Sequence, residues 1–375
     1  MRVILTGGGT GGHIFPLIAV AKEIRELANN RGIQTIEFLY VGPAFDSKSE
    51  EVFRREGIKT KYILTGKLRR YYSSLTFIDL LKIPFGIIQA FWILFQFMPE
   101  VIFSKGGYGS FPVMLVSWLY KIPVRIIHES DAVSGLANRI TSHFATRIGI
   151  AFPEAALKFP IKKTALVGNP TRDNLCSQDI KVAQKFFNIG SSRKVLLIVG
   201  GSQGAESINN VILDILHNLL EKYEVIHISG DRNYYNAKES SEPLLTQDMK
   251  KHYHLYAFLT EEMGFAYALA DVVISRAGAS TIFELAACKK PSILIPLKNS
   301  AQDHQRQNAY MYAKSGGAIV IEEDNLTPHI LLERIQSILD NDEVINRMST
   351  NTASFATKNS AKLIAKEILT LLGVM

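Results

Sequence analysis

A histidine follows a glycine-rich turn near the start of the sequence. Gly7, Gly9 and Gly12 fit the spacing G-x-G-x-x-G, and Thr10 and His13 lie beside them. A helix that begins at such a turn presents backbone N–H groups and the positive end of its dipole to a diphosphate. The spacing therefore predicts an anion-binding turn that carries a histidine. A histidine that only caps the helix is the alternative.

The same turn does not predict a dinucleotide-dependent dehydrogenase. Dinucleotide binding also needs an acidic residue at the end of the second strand, where it holds the ribose. The second apolar segment, TIEFLYVG, ends in Tyr40, Val41 and Gly42, and its acid, Glu37, lies inside the segment. The turn is therefore expected to bind the phosphates of another class of ligand.

A second phosphate-binding pattern lies in the segment DVVISRAGASTIFEL. An apolar strand leads to Arg276 and Gly278, and then to a helix that starts near 279–281 and carries Glu284. Diphosphate oxygens could contact the backbone of the first turn, and Glu284 could accept hydrogen bonds from two ribose hydroxyls. The segment indicates a nucleoside diphosphate site. An Arg–Glu pair that caps the helix is the alternative.

Polar side chains also cluster after two other apolar strands. Segment 128–139 contributes His128, Glu129, Ser130, Asp131 and Asn138, and segment 301–309 contributes Asp303, His304, Gln305 and Asn308. Donors and acceptors fixed at the carboxyl ends of strands suit the recognition of sugar hydroxyls. A solvated helix start is the alternative for the later segment.

Metal and disulfide chemistry are not expected. Asp340 and Asp342 match the D-x-D pattern of metal-dependent sugar-nucleotide transferases, but no apolar strand precedes them to place them at a sheet edge. The two cysteines, Cys176 and Cys288, are far apart and lack metal-ligand spacing. We therefore expect no cofactor, no metal and unpaired thiols in a reducing cytosol.

Apolar strands run into glycine-rich turns at three places. The segments are RVILT before GGGTGGH, EVIFSK before GGYGS, and KVLLIV before GGSQGAE. This alternation is typical of parallel α/β units, and the first and third turns each open a new series of strands. Pro160, Gly168 and Pro170 interrupt the periodicity between the two series. The chain of 375 residues is therefore predicted to form two doubly wound α/β domains.

A basic and apolar region predicts contact with a membrane surface. The formal net charge is +7, and the segment KTKYILTGKLRR carries Lys67, Arg69 and Arg70 without an acid. An apolar segment that includes Phe91 and Trp92 follows soon afterwards. Basic side chains beside an exposed apolar helix favour docking on anionic lipid.

The apolar segment allows two other interpretations. One is that a single stripe packs on the sheet as an ordinary core face, made of Phe85, Ile88, Trp92 and Phe95. The other is a membrane span, since residues 80–98 approach the required length. Lys82 and Pro84 interrupt that stretch, and a strand of the same sheet follows at once, so a span is not expected. The N-terminus lacks the apolar core of a signal peptide.

In this order, the motifs resemble the MurG family of bacterial UDP-N-acetylglucosamine transferases. They are GGGTGGHIFPLIAVA, SKGGYGSFPV, HESDAVSGLANR, VGNPTR, GGSQGA, RAGASTIFE and HQRQNA. The resemblance implies the GT-B architecture, with two Rossmann-like doubly wound parallel-sheet domains facing a cleft. It assigns residues 1–161, joined by the C-terminal helix 353–375, to the lipid acceptor and the membrane, and residues 162–352 to UDP-GlcNAc.

The resemblance also implies an activity. The expected reaction moves GlcNAc from UDP-GlcNAc to the C4 hydroxyl of undecaprenyl-diphosphate-linked muramyl pentapeptide, which converts lipid I to lipid II in peptidoglycan synthesis. It is an inverting, metal-independent displacement, with His13 as the base that takes the hydroxyl proton. The expected partners are these two substrates and anionic inner-membrane lipid, without nucleic acid. The expected location is peripheral, on the cytoplasmic face of the bacterial cell membrane.

Site residues carry over position by position. The resemblance assigns donor binding to Thr10, Gly11, Gly12, Asp131, Arg172, Ser202, Leu259, Arg276, Ala279, Ser280, Thr281, Glu284 and Gln305. It assigns acceptor binding to Gly106, Gly107, Tyr108 and Glu129, with the 10–13 turn also facing the acceptor diphosphate. The family usually reads His-Glu-Gln-Asn where this chain has Ser130 and Asp131. A carboxylate thus replaces a neutral amide at Asp131 and could itself be the base.

Three other functions stay open on the sequence alone. A non-hydrolysing UDP-GlcNAc epimerase shares the architecture and the donor, but it needs no basic and apolar acceptor surface. A two-domain sugar-binding protein would need no base. Within the transferases, a glycolipid synthase that uses another acceptor is the main competitor.

Overall fold

The computed structural model describes residues 1–8, 11–45, 47–66, 74–172, 175–190, 192–201, 205–355 and 359–375. The predicted positions Thr10, Lys67, Arg69, Arg70 and Ser202 lie outside these ranges. The chain divides into two compact units: Met1–Thr171 with Thr357–Met375 form unit 1, and Arg172–Ala356 form unit 2. Each unit is built around one parallel sheet, as the two series of strands predict.

Unit 1 holds a seven-stranded sheet in the order β3-β2-β1-β4-β5-β6-β7. The strands are β1 (Arg2–Thr6), β2 (Glu37–Gly42), β3 (Lys59–Tyr62), β4 (Val101–Ser104), β5 (Val124–Glu129), β6 (Arg147–Ile150) and β7 (Thr164–Leu166). The helices before the boundary are α1 (Gly11–Asn29), α2 (Ser47–Arg55), α3 (Ser74–Phe97), α4 (Phe111–Leu119) and α5 (Leu136–Thr141). Register pairs Thr6 with Ser104, and Ser104 with Ile127.

Unit 2 holds a six-stranded sheet in the order β10-β9-β8-β11-β12-β13. The strands are β8 (Val195–Val199), β9 (Glu224–Ile228), β10 (Tyr253–Tyr256), β11 (Val272–Ser275), β12 (Ser292–Leu294) and β13 (Ala318–Val320). The helices are α6 (Ile180–Phe187), α7 (Glu206–Asp214), α8 (Leu216–Lys222), α9 (Tyr234–Ser241), α10 (Met263–Leu269), α11 (Ala279–Ala287), α12 (His304–Ala313), α13 (Pro328–Leu339) and α14 (Asp342–Thr352). The last helix of the chain, α15 (Ser360–Leu371), belongs to unit 1.

The central strands are continuous apolar runs because helices cover both faces of each sheet. In β1, residues 3–5 are fully buried, as are residues 101–103 of β4. All strand pairs are parallel, but the order in which successive strands are added reverses between β1 and β4 in unit 1, and between β8 and β11 in unit 2. Ligands of doubly wound folds bind at the carboxyl ends of strands beside such a reversal. The three predicted glycine turns follow β1, β4 and β8, and the segment with Arg276 and Gly278 follows β11.

Unit 1 is discontinuous in sequence because α15 returns to it. Ile364, Ala365 and Ile368 of α15 are buried in the same core cluster as Leu17 and Ile24 of α1. The boundary between the units lies at Thr171, later than residue 161, since β7 extends the first sheet beside β6.

The two cysteines are joined in a disulfide, which corrects the expectation of unpaired thiols. Cys176 and Cys288 are separated by 112 residues in sequence, but their Cα atoms lie 4.9 Å apart, a separation that a disulfide requires. Cys288 directly follows α11, and Cys176 lies shortly after Arg172. Folding of unit 2 brings these segments together, and the sequence spacing gives no sign of it.

Helix α3 buries a different face from the stripe offered above as a core face. Phe85, Ile88, Trp92 and Phe95 are 56–60% exposed. The buried face contains Gly86, Ala90 and Leu94, and a Cβ at Gly86 would collide with the carbonyl oxygen of Leu64. Gly86 and Ala90 thus let α3 approach the rest of unit 1, while the side chains of the expected stripe point outwards. Within the described ranges, none of the helices combines the length and hydropathy needed to cross a bilayer.

Candidate functional site

His13 lies in the first turn of α1, at the carboxyl edge of the first sheet. Its Nδ1 is 3.3 Å from the carbonyl oxygen of Lys105, the residue after β4. Because a carbonyl oxygen only accepts, Nδ1 carries the proton and Nε2 is the basic nitrogen. Two glycines border the ring: a Cβ at Gly8 would lie 3.0 Å from Nε2, and one at Gly107 would lie 3.6 Å from Cε1.

The environment of His13 favours the neutral imidazole. Burial lowers its pKa from 6.5 to about 4, and the positive charge of Lys105 acts in the same direction. Asp131 and the hydrogen bond to the Lys105 backbone oppose this shift. A neutral imidazole can accept a proton, whereas the protonated form would pair with a phosphate. The surroundings of His13 therefore favour a neutral ring, which is able to accept a proton, over a charged ring that pairs with a phosphate.

Lys105 is a buried lysine that the sequence analysis did not select. Its Nζ lies 2.7 Å from Nδ1 of His128, 2.5 Å from Oγ of Ser130 and 2.5 Å from Oδ1 of Asn169. The last residue lies in the segment after β7, so one side chain connects the ends of three strands. The available signal was a lysine placed between the apolar run VIFS and two glycines, where the chain leaves a buried strand.

Glu129 organises the loop after β5. Its Oε1 accepts a hydrogen bond from the backbone N–H of Asp131 at 3.1 Å. Its Oε2 accepts from the backbone of Gly135 at 2.8 Å and from Nδ2 of Asn138 at 3.0 Å. Burial, together with the charge of Asp131, raises the pKa of Glu129 to about 7. Both oxygens therefore accept hydrogen bonds from the loop, so the side chain of Glu129 has little capacity left to bind the acceptor substrate.

The other residues predicted in unit 1 gather at the same edge of the sheet. Gly106 and Gly107 have φ values of 81° and 82°, so the turn after β4 requires glycine. Tyr108 is 38% exposed, and Asp131 is partly exposed and close enough to act on both His13 and Lys105. Gly11 and Gly12 open α1.

In unit 2, Arg172 and Glu284 form a two-point ion pair. Nε of Arg172 lies 3.0 Å from Oε1 of Glu284, and an Nη lies 3.3 Å from Oε2. The hydroxyl of Tyr267 donates to Oε2 at 3.2 Å, and Arg172 also donates to the carbonyl oxygen of Thr260 at 2.8 Å. Burial opposes the charge of Arg172, but its pKa is raised because Glu284 outweighs that effect. Glu284 therefore has fewer acceptor positions for a ribose than the sequence analysis assumed.

Arg276 is turned towards residues of its own unit. It forms an ion pair with Glu323 at 2.5 Å and donates to Oγ of Ser207 at 3.0 Å and to the carbonyl oxygen of Ile295 at 3.2 Å. Glu323 also accepts from the backbone N–H of Lys298 at 3.0 Å. Arg276 therefore connects the ends of β11 and β12 with α7, and in this structure its guanidinium is committed to those contacts.

The start of α11 offers the backbone that the sequence analysis expected. Gly278 is its N-cap and provides no side-chain capping bond, and Ala279, Ser280 and Thr281 form the first turn. Gln305 lies at the start of α12, where its Oε1 accepts from the backbone N–H of Leu297 at 3.0 Å. Leu259 is buried, so its contribution to a ligand would come from backbone atoms.

The aspartates of the D-x-D match take part in surface contacts. Asp340 accepts from the Tyr223 hydroxyl and pairs with Lys222 at 3.3 Å, while Asp342 pairs with Lys194 at 2.6 Å. In the part of the chain that the structure describes, no group of three or more acidic, histidine or cysteine side chains could hold a metal ion.

Both units match family models. Residues 3–150 match the glycosyltransferase family 28 N-terminal domain, and residues 195–368 match the glycosyltransferase family 28 C-terminal domain. The two matches cover most of the chain and correspond to the two sheets.

Relatives of nearly equal length share more than a third of the sequence. A protein of Clostridium kluyveri is 37% identical over 367 residues, which cover 97% of this chain and 99% of the relative. A protein of Clostridium perfringens is 38% identical over 367 residues, covering 97% and 98%. Both are named UDP-N-acetylglucosamine–N-acetylmuramyl-(pentapeptide) pyrophosphoryl-undecaprenol N-acetylglucosamine transferase.

Solved structures share the fold. MurG of Acinetobacter baumannii aligns with a TM-score of 0.72 at 24% identity, covering 98% of this chain and 99% of that one. A UDP-GlcNAc 2-epimerase of Neisseria meningitidis, solved with UDP-GlcNAc bound, aligns with a TM-score of 0.68 at 15% identity, covering 99% and 100%. At these identities the likeness concerns the fold, which is that of GT-B proteins, and does not distinguish transferase from epimerase.

Proposed function

From the premise that this chain belongs to the MurG family within glycosyltransferase family 28, we propose that it transfers GlcNAc from UDP-GlcNAc to lipid I and so forms lipid II. The observation that carries the proposal is the 37–38% identity to transferases of that name over 97% of the chain. The chain is accordingly an enzyme of peptidoglycan synthesis, a hexosyltransferase with the GT-B fold.

His13 is the base in this proposal. The acceptor's C4 hydroxyl attacks the anomeric carbon, UDP leaves, and the α donor becomes a β product. Nε2 of His13 takes the hydroxyl proton, which is supported by the proton on Nδ1; the low pKa, about 4, means that this nitrogen is free of a proton at neutral pH. The turn after β4, with Gly106, Gly107 and Tyr108, would face the acceptor diphosphate.

Unit 2 binds UDP in this proposal. The first turn of α11 would receive the diphosphate and stabilise the charge that builds on it as UDP leaves, with no metal required. Glu284 would accept from the ribose through the part of its carboxylate that Arg172 and Tyr267 leave open. Gln305 would read hydroxyls of GlcNAc. Arg276 would not contact UDP itself and would instead hold Glu323 and the ends of two strands in place.

We also propose that the protein is peripheral on the cytoplasmic face of the bacterial membrane, attached through α3. The exposed side chains of that helix include Phe91 and Trp92, which are 43% and 58% exposed. Lys61 on β3 is exposed, and Leu64 soon after it donates to Gln89 of α3 at 2.7 Å, so basic and apolar groups lie close together. Such a surface suits anionic lipid.

The decisive experiment is an assay of the purified protein with labelled UDP-GlcNAc and a lipid I analogue. We expect label in a lipid product with β configuration and release of UDP, both of which require the acceptor. Conversion of UDP-GlcNAc in the absence of any lipid would instead identify an epimerase. Transfer to a different glycolipid, with lipid I inert, would overturn the acceptor assignment.

A further inference from the structure

Lys105 stands out as a charged side chain that the proposed reaction does not use directly. It is 1% exposed, and a lysine is almost never buried to this degree unless it is paired. Its backbone oxygen holds the His13 ring and its side chain enters the loops after β5 and β7. One residue thus contacts the proposed base and the segments around it.

The three side-chain contacts of Lys105 fit the charged amine. An ammonium has three N–H donors and no acceptor. Nε2 of His128 donates to the carbonyl oxygen of Gly168 at 2.7 Å, so its Nδ1 is the acceptor that faces Lys105. Ser130 and Asn169 supply the other two acceptors. A neutral amine has two N–H donors for these three partners, and its lone pair would have to accept from the Ser130 hydroxyl.

The charges around Lys105 are few and can be named. Burial lowers the pKa of Lys105 to about 7, and the carboxylates of Glu129 and Asp131 oppose that shift. His128 also faces Lys105, and burial and that positive charge hold its pKa well below its usual range. For His13, Lys105 lowers the pKa and Asp131 raises it. The proposed base therefore lies under the influence of two opposite charges.

We propose that Lys105 is a positioning residue for the base, because its ammonium balances Asp131 and fixes the loops after β4, β5 and β7. In this arrangement His13 keeps its ring orientation and remains unprotonated, and the carboxylate that replaces the family's usual amide at position 131 is compensated. The inference rests on the proposed function, in which His13 accepts the proton. Lys105 itself does not touch the reacting atoms.

Titration of the His13 ring by NMR tests the charge balance without reference to activity. The full-length protein is labelled at histidine, and His13→Gln identifies the His13 signal. Lys105→Met should raise the pKa of His13 by roughly one unit or more, Asp131→Asn should lower it, and the double variant should return it towards the wild-type value. An exposed lysine of the same unit supplies the control: Lys158→Met changes the net charge equally and should leave the titration unmoved.

Kinetics in the same variants test the consequence for transfer. The acid limb of kcat/KM for GlcNAc transfer should move to higher pH in Lys105→Met by the same amount as the NMR titration. A merely structural lysine would lower turnover without moving either pH profile. If Lys105→Met fails to fold, as judged by circular dichroism, Asp131→Asn keeps the lysine and must still lower the His13 pKa.

The outcomes separate this inference from the proposed function. A folded Lys105→Met protein with an unchanged His13 titration overturns the inference, even if the wild type makes lipid II. A wild type that transfers no GlcNAc, but whose His13 titration responds to both substitutions as described, refutes the proposed function and supports the charge pairing.

Discussion

At the scale of single residues, the side chains of the proposed chemistry are held by neighbours of definite charge. The charges of Lys105 and Asp131 act on the pKa of His13, and Glu284 forms an ion pair with Arg172. Burial is the main reason why the pKa of His13 is low, and Lys105 adds to it, while Arg172 pairs with Glu284 at two points. Substitutions here should therefore act through charge as much as through size.

The first residue-scale prediction concerns His13 and pH. Because the base must be unprotonated and its pKa is about 4, kcat/KM should stay on its plateau down to about pH 5 and fall only as the pH approaches the pKa. If the pKa of the base were that of an ordinary histidine, kcat/KM would fall near pH 6.5. His13→Ala should reduce turnover by roughly 10² to 10⁴ with donor affinity almost intact, whereas Asp131→Asn should keep most of the turnover at neutral pH. A crippled Asp131→Asn protein beside an active His13→Ala protein would make Asp131 the base.

The second residue-scale prediction concerns Glu284→Gln. We expect UDP affinity to fall tenfold or more, since a charge-assisted hydrogen bond is worth roughly 1.5–3 kcal/mol. Stability should fall as well, because a largely buried Arg172 would lose its carboxylate. Calorimetric titration with UDP, alongside thermal melting, separates the two effects. Glu239→Gln removes an exposed carboxylate of the same unit and serves as the control, and unchanged UDP affinity in a folded Glu284→Gln protein would refute the ribose assignment.

Sequence spacing predicted that His13, the glycine turns and Glu284 follow strands, because a doubly wound fold brings the carboxyl ends of its strands to one edge of the sheet. Lys105 escaped notice because its role depends on His128, Ser130 and Asn169, which reach it from other strands. Residues that only folding brings together have no characteristic spacing in the sequence. The same holds for the Arg172–Glu284 pair, whose members are 112 residues apart.

At the scale of elements, α3 carries a set of large apolar side chains that are exposed in this structure. Replacing Trp92 by Ser should weaken binding to anionic vesicles in a flotation assay while the melting temperature stays nearly unchanged, because the side chain is 58% exposed. Leu94→Ala should instead destabilise unit 1 by roughly 2–5 kcal/mol, since Leu94 is 1% exposed.

A matched control lies in unit 2, where Tyr235 is 76% exposed. Tyr235→Ser removes an exposed aromatic side chain away from α3 and should not affect vesicle binding. Equal flotation of the wild type and Trp92→Ser, or no flotation of the wild type at low salt, would contradict attachment through α3.

The disulfide leads to a second element-scale prediction. Cys176–Cys288 closes a long loop, so its reduction should lower the stability of unit 2 by roughly 2–4 kcal/mol. Thermal melting with and without dithiothreitol measures the effect. In the Cys176→Ser/Cys288→Ser double variant the reductant should change nothing. If dithiothreitol leaves the melting curve of the wild type unchanged, the two sulfurs are not joined in solution.

Strands were predictable as elements because a buried parallel strand is an unbroken apolar run, and each quoted run became a strand. The buried face of α3 was not predictable in this way. Apolar residues surround that helix, so periodicity could not choose among its faces. The choice was made by Gly86 and Ala90, whose small size permits close approach to Leu64 and the sheet.

At the scale of the whole molecule, unit 1 depends on a helix from the far end of the sequence. Ile368 of α15 is fully buried, whereas Leu363 on the same helix is 43% exposed. Ile368→Ala should destabilise unit 1 by roughly 2–5 kcal/mol, and Leu363→Ala should have little effect. UDP affinity should be unchanged in both, because α15 belongs to unit 1 and the proposed donor site lies in unit 2. Loss of UDP binding in a folded Ile368→Ala protein would contradict the assignment of the donor to unit 2.

The return of α15 also sets the order in which the protein can fold on the ribosome. Residues 172–356 form one uninterrupted stretch, so unit 2 takes its core from neighbouring parts of the sequence. Helix α1 must wait for about 330 further residues before its partner exists, roughly 15 to 70 seconds at typical rates of synthesis. During that time the apolar side chains that α15 will cover are exposed and accessible to chaperones. The part of the protein that is made first therefore cannot finish folding until residues 360–371 have been made.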